Sequence, residues 1–195
     1  MRPEIPTSRY AGRLRAAQAI AARRGVAGLL LGVGADLRYL TGYAAMPLER
    51  LTMLIVPANG SPTLVVPRLE SMRAAAAPAV TAGLVDLVAW DETEDAYAIV
   101  AARLSESEPA FRGVSPAPDR VLVSGDLWAA HVLALQRALP GQVVGLASEV
   151  LRELRVVKDD DEVALLRLAA RAADRALAAV AGGRLVDRTE ADVSR

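Results

Sequence analysis

A chain of 195 residues, 53% of them hydrophobic, is long enough to bury the core of one ordinary domain with residues to spare. Its 23 basic and 23 acidic side chains cancel, which removes any general attraction to nucleic-acid phosphates or an anionic membrane surface, and the lack of cysteine excludes disulfides, thiolate metal sites and a cysteine nucleophile. The polar opening MRPEIPTSRY and the absence of an apolar run near the roughly 18 residues that span a bilayer lead us to expect a soluble, cytoplasmic protein that binds neither nucleic acid nor membrane.

From Thr7 the apolar residues Tyr10, Leu14, Ala17 and Ala21 recur at helical spacing, with Thr7 or Ser8 as the expected cap and Gly25 as a left-handed stop. VAGLLLGV (residues 26–33) is a continuous apolar run of the kind found in strands buried on both faces. LRYLTG (residues 37–42) reads as another strand closed by glycine. LTMLIVP and NGSPTLVVP read as two strands joined by a turn at Asn59-Gly60.

Residues 69–77 are expected to form a short helix stopped by Pro78, and residues 83–90 a strand. A helix over residues 91–104 has Asp91 as its expected cap, with Glu94 three residues on. The Pro-, Ser- and Gly-rich stretch 105–119 reads as a loop, RVLVS as a strand, residues 126–139 as a helix ended by Pro140-Gly141, and QVVGLA as a last strand. Strands and helices that interleave in this way predict a three-layer α/β domain, its central sheet mixed because of the hairpin.

Around Leu151 the character changes to a charged linker and then one long helix. Asp159 and Glu162 form its expected capping box, and the acidic residues 159–162 lie at the positive end of its dipole. Val163, Leu166, Ala170, Ala173, Leu177 and Val180 make one apolar stripe that requires a partner surface. Thr189 with Asp192 marks a second helix start close to Arg195. The expected division is a domain over residues 1–152, followed by linker and helix over residues 153–195.

The candidate chemistry is sparse. His131 is the sole histidine, and its neighbours one turn away, Trp128, Ala134 and Leu135, are not metal ligands, so it reads as a packing or surface residue. The acidic run 159–162 lacks the glycine and spaced oxygens of a calcium loop. LGVGAD (residues 31–36) has Gly-x-Gly after a strand, but no third glycine, and the residues behind it read as strand and not as helix. Ser124 has none of the Gly-x-Ser-x-Gly setting of a hydrolase nucleophile. Composition and spacing alone yield an α/β domain without a self-sufficient active site.

Three ordered segments add to this reading. ADLRYLTGY (residues 35–43), with LTMLIVPANGSPTLVVPRLE (residues 51–70), resembles the amino-terminal pattern of the creatinase/prolidase family, the pita-bread metallopeptidases. LRELRVVKDDDEVALLRLAARAADRAL (residues 151–177) resembles that family's junction into its catalytic domain. RTEADV (residues 188–193) is similar to the start of the second catalytic-domain helix, with Asp187 where the family usually has glycine.

The resemblance implies an amino-terminal domain of ribonuclease-H-like topology in a metal-dependent Xaa-Pro dipeptidase or aminopeptidase. The metals would be two divalent ions, manganese, cobalt or zinc, held by two Asp, one His and two Glu, all expected after Arg195. No catalytic or metal-binding residue then carries onto this chain, which is expected to fold and be inactive alone. Implied partners are its own catalytic domain, a second copy in a homodimer, and proline-containing peptides. Tyr43, as an aromatic wall, and Arg50, as a carboxylate-binding guanidinium, are the candidate substrate-binding residues. The alternatives are an amidinohydrolase of creatinase type and a free-standing protein-interaction module pairing through its long helix.

Overall fold

The computed structural model describes residues 4–106, 119–183 and 185–193. The chain divides into two compact units, Pro6–Val157 and a second that contains Lys158–Arg195. In the first unit, α1 (Thr7–Arg23) buries Tyr10, Leu14, Ala17, Ile20 and Ala21, the stripe its sequence spacing requires. Its N-cap is Pro6 in an extended conformation with no side-chain bond, so neither Thr7 nor Ser8 caps it. Gly25 leaves the helix at φ +63°, the left-handed exit expected of it. β1 (Gly28–Leu31) is buried at every position.

Residues 37–42 overturn the strand expectation. Residues 37–41 belong to α2 (Ala35–Thr41), which buries Leu37, Leu40 and Thr41 on one face, and Gly42 is its C-cap. The Thr41 hydroxyl donates back to the Leu37 carbonyl (2.7 Å), and Gly42, at φ +77°, caps the carbonyl of Arg38 with its amide. The glycine that reads as a strand terminator is a left-handed helix cap.

β2 (Met53–Pro57) and β3 (Thr63–Pro67) form the expected antiparallel pair, with Gly60 at φ +99° between them. Gln18 of α1 holds this turn by donating to the carbonyls of Pro57 (3.0 Å) and Gly60 (2.8 Å). A 3₁₀ turn (Arg68–Glu70) leads into α3 (Ser71–Ala75). Pro78 does not merely stop that helix but opens α4 (Pro78–Thr81), since its missing amide hydrogen is harmless at a first helical position.

β4 (Asp86–Trp90) is followed by α5 (Ala96–Glu106), which starts later than expected. Asp91 is not its cap: the Asp91 carboxylate is held by Arg68, and Asp95 instead accepts from the amides of Tyr97 (2.9 Å) and Ala98 (3.2 Å). Most of the expected loop over 105–119 lies outside the described residues.

β5 (Arg120–Val123) leads to α6 (Ala129–Ala138), capped by Trp128 rather than begun at Asp126, and then to β6 (Val143–Leu146). α7 (Ser148–Val156) corrects the linker expectation. Its charges form an outer face, with Glu149 on Arg120, Glu153 on Arg24 and Arg155 on Asp36, while Val150 and Leu151 are buried.

The strands form one sheet in the order β4-β3-β2-β1-β5-β6, with β1 antiparallel to β2 and parallel to β5. β2 alone runs against the others among the described strands. Leu30, Met53, Ile55, Val65, Val121 and Val123 share a core with Val100 and Leu104 of α5 and Leu135 of α6. The alternation of strand side chains sends Leu29, Leu31, Leu54 and Leu122 to the opposite face, towards the layer that contains α1. This is the three-layer α/β architecture with a mixed sheet.

The second unit holds α8 (Asp160–Ala181) and α9 (Glu190–Val193). Asp159 and Glu162 form the complete capping box expected for α8, and the same reciprocal bonding joins Thr189 and Asp192 at α9. Asp187 has φ +65°. A glycine would adopt that conformation without strain, and a short polar side chain tolerates it better than most others do.

Two glycine substitutions separate backbone strain from steric exclusion. A Cβ on Gly42 would lie 2.8 Å from the Pro78 ring and 2.9 Å from the Tyr10 hydroxyl, whereas one on Gly25 would meet nothing within 4 Å. Both residues have positive φ. Gly25→Ala is expected to cost about 1 kcal/mol and Gly42→Ala about 2–3 kcal/mol, read from urea unfolding; equal costs would rule out the close packing at Gly42.

Candidate functional site

From β1 the chain proceeds towards β2, and from β5 it proceeds towards β6 on the other side. These two parallel strands are neighbours, so their carboxyl ends leave a crevice where the direction of winding reverses, the usual place for a ligand in an open α/β sheet. A small, shallow, open groove lies there. Val33 lines it from the loop after β1; Pro47, Leu48, Arg50 and Thr52 from the segment before β2; and Asp126, Leu127, Trp128 and His131 from the turn and first turn of α6.

Small residues shape the groove. The loops after β1 and β5 approach so closely that a Cβ on Gly34 would sit 2.6 Å from the Asp126 carboxylate, and one on Gly32 would sit 2.6 Å from Leu127. The Gly-x-Gly pair thus serves loop packing. A helix does follow it, contrary to the sequence reading, yet α2 has only seven residues and the fully buried Leu37 stands where a dinucleotide loop needs its third glycine.

His131 is buried, with its Nδ1 2.8 Å from the Tyr97 hydroxyl of α5. Its ring stacks under Trp128, with centroids 5.9 Å apart and planes 14° apart. Burial lowers its pKa, because the charged imidazolium is costly to desolvate. His131, read from the sequence as a packing or surface residue, is buried at the edge of the groove, and Tyr97 reaches it from 34 residues away in the sequence.

The two sequence-derived candidates part company. Arg50 lines the groove and pairs with Glu92 at 2.6 Å, both partners being exposed. Tyr43 is buried and is not part of the groove lining; its amide donates to Thr41 Oγ1 (3.0 Å), and its hydroxyl has no partner among the described residues. Burial raises the Tyr43 pKa, the carboxylate of Glu70 adds to the rise, and Arg73 opposes it. Sequence reasoning misses Asp126 and Trp128 as site residues. The one available signal is their place just after a strand at the winding reversal, and only the strand order reveals that.

The remaining candidates are structural. Ser124 is buried, its hydroxyl without a partner among the described residues and without a base beside it. The acidic run 159–162 caps α8. Among the described residues no three His, Cys, Asp or Glu side chains converge as a metal ion would require. No described helix is long and apolar enough to cross a membrane.

Residues 13–157 match the Creatinase/Prolidase N-terminal domain. The chain is 40% identical over 185 residues to a protein of Mycobacterium tuberculosis named "Probable dipeptidase PepE", a stretch covering 95% of this chain and 46% of that one. The crystal structure of dipeptidase PepE from Mycobacterium ulcerans superposes with a TM-score of 0.80 at 40% identity, over 98% of this chain and 48% of that one. A recombinant prolidase from Thermococcus sibiricus matches with a TM-score of 0.78 at 25% identity, over 98% and 48%. The chain therefore spans about half the length of each of these three relatives.

Because the folded state lowers the His131 pKa below its ordinary 6.5, the unfolded chain binds that proton more tightly. Stability is full above the ordinary value and is lost as the pH falls through the lowered one. Urea midpoints between pH 7.5 and 5.5 are expected to fall for the native chain and to fall less for His131→Gln; parallel curves would remove His131 as the cause.

Proposed function

The chain belongs to the Creatinase/Prolidase N-terminal domain family, and from that membership we propose that it is the amino-terminal, non-catalytic domain of a metal-dependent dipeptidase acting on Xaa-Pro peptides. The observation that carries this reading is 40% identity along 95% of the chain to a dipeptidase, with the same fold. Proline specificity follows the prolidase among its structural relatives. The proposal assigns hydrolysis and metal binding to the part of such a protein that this chain does not span.

On this reading the domain supports a cytoplasmic homodimer and presents Arg50 to substrate entering a neighbouring active site. Arg50 suits that task because its exposed pair with Glu92 is worth at most about 1 kcal/mol, so a peptide carboxylate can compete for the guanidinium. Tyr43 serves as a positioning residue, since the hydrogen bond its backbone N–H donates to Thr41 Oγ1 fixes the start of the segment that carries Arg50.

A polypeptide of the relatives' full length is expected to hydrolyse Ala-Pro with manganese or cobalt and to lose the activity to a chelator, while the 195 residues alone do not. Turnover of creatine in place of Ala-Pro, or activity untouched by chelation, would overturn the reading. In the active protein Arg50→Ala is expected to raise KM about tenfold with kcat little changed, the signature of lost ground-state binding.

A further inference from the structure

We propose that the groove between β1 and β5 is itself a binding site for a small zwitterion with an apolar side chain or ring, meaning a free amino acid or a dipeptide. The inference rests on the peptidase reading for its choice of probes and on the groove for its existence.

The groove presents one group for each part of such a ligand. On one wall, Asp126 is an exposed carboxylate with no ion pair among the described residues, held against the loop after β1 by the space that Gly34 leaves. It suits an α-ammonium group. On the segment before β2, Arg50 offers a guanidinium whose partner Glu92 is more exposed than it is, and it suits a carboxylate.

Trp128 lines the same groove and is 48% exposed although it is a large aromatic residue. Its ring is fixed by stacking on His131, which the Tyr97 hydroxyl holds in turn. An indole braced on one side and open on the other is a platform for an aliphatic side chain or a pyrrolidine ring. Burial lowers the His131 pKa and so disfavours a competing positive charge beside the indole. Opposite charges on separate loops, lining one groove with an apolar face, select against plain anions, plain cations and uncharged peptides alike.

The groove is shallow and open, so the ligand lies along it and affinity is expected to be roughly millimolar. Among the described residues there are two indoles. Trp128 lies in the groove, whereas Trp90 is buried and donates to the Leu51 carbonyl at 2.9 Å, giving a probe and an internal control.

The test is a nitrogen-15 NMR titration of the intact 195-residue chain with proline, with Ala-Pro, and with N-acetyl-Ala-Pro-amide, which has neither charge. The expected result is a saturable shift of the Trp128 indole signal, identified by its loss in Trp128→Phe, with the Trp90 signal still. Asp126→Asn and Arg50→Gln, both at exposed positions, are each expected to weaken binding at least fivefold, with an unmoved Trp90 signal certifying the fold. Saturation by proline alone assigns the site to a free amino acid, and saturation by Ala-Pro alone assigns it to a dipeptide. The proposal is overturned if no shift saturates, if the capped peptide binds equally well, or if binding survives both charge substitutions. Hydrolysis by the longer polypeptide is a separate measurement, so the groove and the peptidase reading can fail independently.

Discussion

Strand β1 has hydrogen-bonded neighbours along both edges and helices over both faces, so its backbone must be satisfied by β2 and β5 and its side chains must be apolar. There is little room for variation. A Cβ on Gly28 would meet Leu104 at 2.9 Å and the backbone of Pro57 and Val56 at 3.0 Å, so even the first residue of the strand is limited by its surroundings. Because β2 returns antiparallel while β5 arrives parallel, the chain winds away from the centre in both directions. The crevice at the carboxyl ends of β1 and β5 follows from that geometry.

The helical layer is secured by aromatic and apolar packing more than by its many ion pairs. Arg13 lies 4.1 Å over the Tyr39 ring and donates to the Tyr39 carbonyl, while the Tyr39 hydroxyl reaches the Leu154 carbonyl of α7 at 3.2 Å. Tyr39 thereby links α1, α2 and α7. The pairs Arg24 with Glu153 and Arg155 with Asp36 decorate the same seam, but the exposed Arg24 pair contributes at most about 1 kcal/mol. Burial of Val150 and Leu151 does more, at about 1.5–3 kcal/mol for each fully buried side chain.

A fold of this kind does not by itself specify chemistry, and here fold and site must be argued separately. Family membership rests on similarity along nearly the whole chain, which bears on what the protein is related to. The groove rests on Arg50, Asp126, Trp128 and His131, which bears on what this chain can itself hold. The two lines meet at Arg50.

Elements specified by nearby residues are legible in the sequence. The hairpin follows from Asn59-Gly60 between two apolar runs, β1 from its unbroken hydrophobicity, and the starts of α8 and α9 from Asp159 with Glu162 and Thr189 with Asp192. In each case the deciding interaction spans four residues or fewer, or repeats along one element. Residues 37–42 mislead because six residues with apolar positions three apart do not distinguish a helix face from a strand end; packing of Leu37 and Leu40 under α1 decides it. α7 misleads because Glu149, Glu153 and Arg155 find their partners on Arg120, Arg24 and Asp36, 29 to 129 residues away in sequence. The groove is hidden for the same reason. Arg50 is visible as a charged residue in a loop, but its placement beside Asp126 and Trp128 exists only once β5 has paired with β1, a pairing that no local pattern encodes.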